Sequence, residues 1–133
     1  MPLAARGTDE GRVAATAAGV LVVVRRLAEL PGRTVVIAPT SLVEELHRTL
    51  LSAGIDVAAG VGGLDATVGV MTATQVKGLE FDHVVVAEPG QVGSGASGLA
   101  DLYVALTRAT SALELVRTGP LPPSLTAAFP VTG

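Results

Sequence analysis

Two short segments hold most of the side chains that could do chemistry. The first is Thr72-Ala73-Thr74-Gln75-Val76-Lys77-Gly78-Leu79-Glu80-Phe81-Asp82, which gathers hydroxyls, an amide, a cation, a glycine and two carboxylates directly after an apolar run. Hydroxyls and backbone amides in such a turn can contact phosphate oxygens. A carboxylate can accept hydrogen bonds from ribose hydroxyls. The plainer alternative is a solvated connector with Lys77 and Glu80 as a surface pair.

The second segment is Leu102-Tyr103-Val104-Ala105-Leu106-Thr107-Arg108-Ala109, with one arginine in an apolar, small-residue setting. An arginine placed this way can reach into a neighbour's phosphate site and stabilise transferring charge. The alternative is an arginine at a helix end, complementing the helix dipole.

The elements that must position these segments alternate along the chain. A helix is expected from Thr8-Asp9-Glu10 to Leu30, ended by Pro31-Gly32, and its thin polar face calls for cover on most sides. Strands are expected at 34–38, 55–58, 66–71, 83–87 and 112–116. Ser41 with Glu44 forms a capping-box pattern, opening a helix to about Ala53 with Leu42, Leu46 and Leu50 on one stripe and Gly54 as terminator. A Gly/Ser-rich loop spans 89–98, and Asp101 to Thr110 reads as a helix. Short apolar strands alternating with helices predict an α/β fold: a RecA-like parallel sheet of about five strands flanked by helices. Functional loops in such folds lie at the carboxyl ends of strands, where both 72–82 and 89–98 are expected.

Composition narrows the function classes. The chain has 133 residues and fits one domain, taken as 1–118 with a Pro-rich, extended or mobile tail at 119–133. Without cysteine, disulfides, thiol nucleophiles and cysteine-type zinc sites are excluded, and two histidines (His47 and His83) argue against a histidine-rich metal centre. The net charge of −3 gives no basic footprint for gripping nucleic acid unaided. The longest apolar stretch, Val13 to Val24, is too short to span a bilayer, so a cytoplasmic location is the default expectation. No G-x-x-x-x-G-K-[ST] phosphate loop occurs, so the chain has no tight ATP cradle of its own.

In order and spacing, the two segments resemble motifs V and VI of superfamily 1 helicases of the UvrD/Rep type. Motif V reads T-x-x-x-x-KGLE, here Thr72 with Lys77 to Glu80, and motif VI reads Y-V-(A/G)-x-T-R-A, here Tyr103 to Ala109. The resemblance implies the second motor domain of an ATP-dependent DNA helicase or translocase. ATP and Mg2+ would be held mainly by a first motor domain outside this chain. It casts Arg108 as the arginine finger, Glu80 as the contact to the nucleotide sugar, Gly78 as the point of close backbone approach and Lys77 as a brace for the turn. Thr72 would lie near single-stranded DNA, as would Thr74, which stands where many members carry a nucleic-acid-holding histidine. Tyr103 is expected to pack behind the arginine helix. The wording from Lys77 to Val86 and from Leu102 to Thr110 also resembles the HelD/HelR group, which implies RNA polymerase as an alternative partner.

Overall fold

In the computed structural model, which describes residues 9–60, 66–93 and 98–118, five parallel strands form one sheet in the order β2-β3-β1-β4-β5. In chain order the elements are α1 (Asp9–Ala28), β1 (Thr34–Ile37), α2 (Thr40–Ser52), β2 (Val57–Ala59) and β3 (Val68–Met71). β4 (Phe81–Ala87), the one-turn α3 (Pro89–Val92), α4 (Gly98–Leu106) and β5 (Ala109–Val116) follow. β1, β3 and nearly all of β4 are buried, as expected of strands covered on both faces. The expected five-stranded, helix-flanked parallel architecture is therefore present. The Thr8 cap, the glycines at 62–63, the middle of the 89–98 loop and the 119–133 tail lie outside the described residues.

Each face of the sheet has its own core. On one, α1 presents Ala17, Val20, Val24 and Leu27 and α2 presents Leu42, Leu46 and Leu50, all against Val36, Val68, Val70 and Val85. These spacings place each set on a single helical stripe. Burying one such Leu or Val contributes about 1.5–3 kcal/mol. α1 is buried most deeply along that stripe, with Thr16 also buried and Val13, Leu21 and Val23 partly covered beside it, while its outer side leaves Val22 70% exposed. The other face is built differently. Val35, Ile37, Met71, Val84 and Val86 are covered by α3, α4 and the irregular segment 72–80, whose Ala73 and Val76 are buried there.

Several boundaries differ from the sequence expectation for identifiable reasons. α1 ends at Ala28, because Pro31 disfavours helical geometry at Leu30. The capping box does not form: α2 starts at Thr40, its cap is Pro39 in an extended conformation without a side-chain cap, and Glu44 instead faces Arg48 at 3.6 Å. β4 begins at Phe81, two residues early, with a bulge between Phe81 and His83. α4 ends at Leu106, so Arg108 lies in the junction that leads into β5 and not within the helix.

Two residues pin the ends of the sheet. Gly32, at φ +110°, closes the α1–β1 turn against Asp82, where any Cβ would come within 2.6 Å of that carboxylate. The Asp82 Oδ2 accepts a 2.7 Å bond from the Arg33 amide. At the opposite end, Glu88 is buried in a left-handed conformation (φ 51°), the only non-glycine residue so placed among those described. Its Oε2 accepts from the Thr16 hydroxyl and from both the amide (2.8 Å) and hydroxyl (2.6 Å) of Thr118. One carboxylate thus joins α1, the end of β4 and the chain leaving β5. Glu88→Ala would remove the shared acceptor and leave its donors inside. The expected cost is about 2–3 kcal/mol, read as a lower denaturant midpoint at unchanged m-value, with Glu88→Gln losing less.

Candidate functional site

The parallel register defines two edges. Thr34, Val68, Phe81 and Ala109 mark the amino edge, and Ile37, Met71, Ala87 and Val116 mark the carboxyl edge. Residues 72–80 connect β3 to β4, which are separated in the sheet by β1, so this segment must cross one sheet face from the carboxyl to the amino edge. The sequence expectation placed the whole of 72–82 at the carboxyl edge. The structure divides it between the two.

At the carboxyl edge, Thr72 and Gln75 close a tight turn. The Thr72 amide donates to Gln75 Oε1 at 2.9 Å, and the Gln75 amide donates to Thr72 Oγ1 at 3.3 Å. Thr72 and Thr74 line an open cavity of about 210 Å³ together with Thr40, Gln91 and Asp101. The two threonines assigned to nucleic acid therefore share one surface. Gln91 and Asp101 were not legible as members of it, because they join it from α3 and α4 only through the fold.

Lys77, Gly78 and Glu80 lie at the other end of the crossing and are exposed. The Leu79 amide bonds the Val76 carbonyl at 3.0 Å, and Gly78 takes φ +81° with nothing within 4 Å of where a Cβ would stand. Glycine here serves the backbone conformation and leaves open space beside it. Lys77 and Glu80 form no ion pair with each other among the described residues.

Arg108 is brought to the same place from β5. The Thr107 hydroxyl lies 2.9 Å from the Tyr103 carbonyl and 3.2 Å from that of Val104, and its back-bonding ends α4. The Phe81 amide then donates to the Arg108 carbonyl at 2.9 Å, the first bond between β4 and β5. The Arg108 Nη1 donates to the Leu79 carbonyl at 3.3 Å and Nη2 to the Thr107 hydroxyl at 3.4 Å, while Nε is buried without a partner. Arg26 and Arg48 are paired with glutamates, but among the described residues no carboxylate lies within ion-pair distance of Arg108. Tyr103 is 69% exposed and does not pack behind this arginine, contrary to the sequence expectation. No described group of His, Cys, Asp and Glu could hold a metal ion, and no described helix is long and apolar enough to cross a membrane.

Comparison with known proteins bears on the sequence and the fold. Residues 67–116, which contain both segments, match the family model of the UvrD-like helicase C-terminal domain. The fold is similar to the crystal structure of the C-terminal domain of a possible DNA helicase from Lactobacillus plantarum WCFS1. That match has a TM-score of 0.68 and 26% identity and covers 83% of this chain and 71% of that one. No curated protein matches.

Arg108 makes few fold contacts for a half-buried cation. Arg108→Gln should therefore change unfolding free energy by no more than about 1 kcal/mol in a denaturant titration. A loss several times larger would mark it as a structural residue.

Proposed function

We propose that this chain is the second motor domain of a helicase-type ATPase and supplies one side of a composite ATP site. The observation that carries the reading is the meeting of Arg108 with Leu79, a guanidinium without a carboxylate partner among the described residues beside Gly78 and Glu80. Arg108 is the arginine finger, directed at phosphate held by a first motor domain. Glu80 accepts from the sugar hydroxyls, the open space at Gly78 admits the nucleotide, and Lys77 braces the turn.

The residues present fit half of an Mg2+·ATP site: a cation for developing phosphoryl charge and a carboxylate for the sugar, with neither phosphate loop nor metal ligands. When bound, ATP supplies the phosphoryl group and Mg2+ neutralises its charge. This chain's residues contribute the charge-stabilising contact from the far side of the cleft. Nucleotide-driven closing and opening of the two domains then moves the opposite edge, where Thr72 and Thr74 face single-stranded DNA. The alternative partner, RNA polymerase, draws no support from either comparison, and DNA is the reading adopted.

The purified chain should show no ATPase activity above blank. In a two-domain assembly with a phosphate-loop motor domain, Arg108→Ala should lower kcat by about 10³–10⁵ while nucleotide affinity stays within a few-fold. Robust turnover by the chain alone, or an unchanged kcat in the mutant, would remove the composite site.

A further inference from the structure

The hydrogen-bonding groups of Glu88 each serve a different element. The amide donates to the Val116 carbonyl at 2.7 Å, at the end of β5. The carbonyl accepts from the amides of Gln91 (2.9 Å) and Val92 (3.1 Å), which sets the single turn of α3. The carboxylate takes the Thr16 hydroxyl of α1 and both donors of Thr118, where the chain leaves β5. Gln91 and Val92 in turn line the cavity of about 210 Å³ with Thr40, Thr72 and Thr74. One residue therefore stands between the wall of that cavity and the exit of the chain.

The backbone of this residue is held against its preference. The residue before a proline is normally extended, and a non-glycine residue rarely takes positive φ. Glu88 precedes Pro89 and sits at φ 51° and ψ 65°. Glycine would adopt this conformation at little steric cost but would bring no carboxylate. Such a conformation persists only where its surroundings over-determine it. Here the constraint comes from outside the turn, through Thr16 and Thr118. α1 approaches β5 so closely that a Cβ at Gly19 would come within 2.9 Å of Val116 Cγ1. That approach brings Thr16, three residues earlier on the helix, to the carboxylate.

We propose that Glu88 is a positioning residue for the carboxyl-edge cavity. Its contacts with Thr16 and Thr118 hold the strained backbone, and that backbone holds α3 where Gln91 and Val92 form the cavity wall. The occupant is the single-stranded DNA of the functional reading above, on which the proposal rests. With the carboxylate clamp closed, the wall is formed. With Thr118 released, Glu88 relaxes toward extended backbone and the wall moves. A ligand that needs the formed wall tightens the hold on Thr118. By reciprocity, anything that fixes the chain at Thr118 tightens the ligand. The exit of the chain is thereby an input to the DNA-facing edge.

The test is an NMR titration of the 15N-labelled full chain with a short oligothymidylate at constant ionic strength. The amides of Thr72, Thr74, Gln91 and Val92 should shift along one saturable isotherm. The Thr118 amide, outside the cavity lining, should follow the same isotherm, a response that a purely structural clamp would not give. Glu88→Ala should weaken the dissociation constant roughly fivefold. Glu88→Gln, which keeps an acceptor oxygen, should recover most of that loss. Thr118→Val removes one hydroxyl and serves where Glu88→Ala does not fold; it should weaken binding in the same direction, by less. Leu46→Val trims the core away from this cluster, and should lower the denaturant midpoint while leaving the dissociation constant unchanged. Equal weakening by Leu46→Val would overturn the Glu88 proposal. So would saturable cavity shifts with Thr118 silent and the Glu88 and Thr118 variants binding as wild type; in both cases the DNA reading stands. If the cavity shifts never saturate, both fall.

Discussion

The hydrogen bond from the Phe81 amide to the Arg108 carbonyl opens the ladder between β4 and β5, and the site depends on it. Because the strands are parallel, their first residues must lie on the same edge. Whatever precedes β4 is therefore held against whatever precedes β5. The residues before β4 are Lys77 to Glu80, and the residue before β5 is Arg108. Two segments more than twenty residues apart are joined by one backbone pairing, and the Arg108 side chain reinforces it through the Leu79 carbonyl. Phe81 anchors the junction from the core side, with its ring in the cluster that holds Val84, Val86 and Ala105.

The crossing segment 72–80 gives the domain its two-sided character. A helix normally covers the face between parallel strands. Here a short irregular stretch does so, sinking Ala73 and Val76 into the core and leaving its polar residues outside. One continuous piece of chain thus carries hydroxyls at the carboxyl edge and the glycine–acid pair at the amino edge.

Much of this was legible in the residues. The alternation of apolar runs gave the parallel sheet, Leu42, Leu46 and Leu50 gave the buried stripe of α2, and the order of the two motifs singled out Arg108, Glu80 and Gly78. The illegible parts depended on contacts distant in sequence. Thr107 to Thr110 continues a plausible helical pattern, and only back-bonding by Thr107 and the pairing of β5 with Phe81 convert Arg108 into a strand-leading residue. The Ser41–Glu44 capping pattern was overridden by Pro39, which sets the helix start two residues earlier. Nothing local marks Glu88 as a buried hub, since its partners Thr16 and Thr118 come from distant parts of the chain.

The central claim is that nucleotide faces the amino edge and not the polar cavity at the carboxyl edge. Paramagnetic broadening tests it most directly. In a two-domain assembly with a phosphate-loop motor domain, Mn2+ would replace Mg2+ beside a non-hydrolysable ATP analogue, and amide signals of this domain would be recorded. The account predicts the strongest broadening at Lys77 to Phe81 and Thr107 to Ala109, with Thr40, Thr72, Thr74 and Gln91 little affected. Broadening centred on those four residues, with the amino edge left sharp, would contradict it.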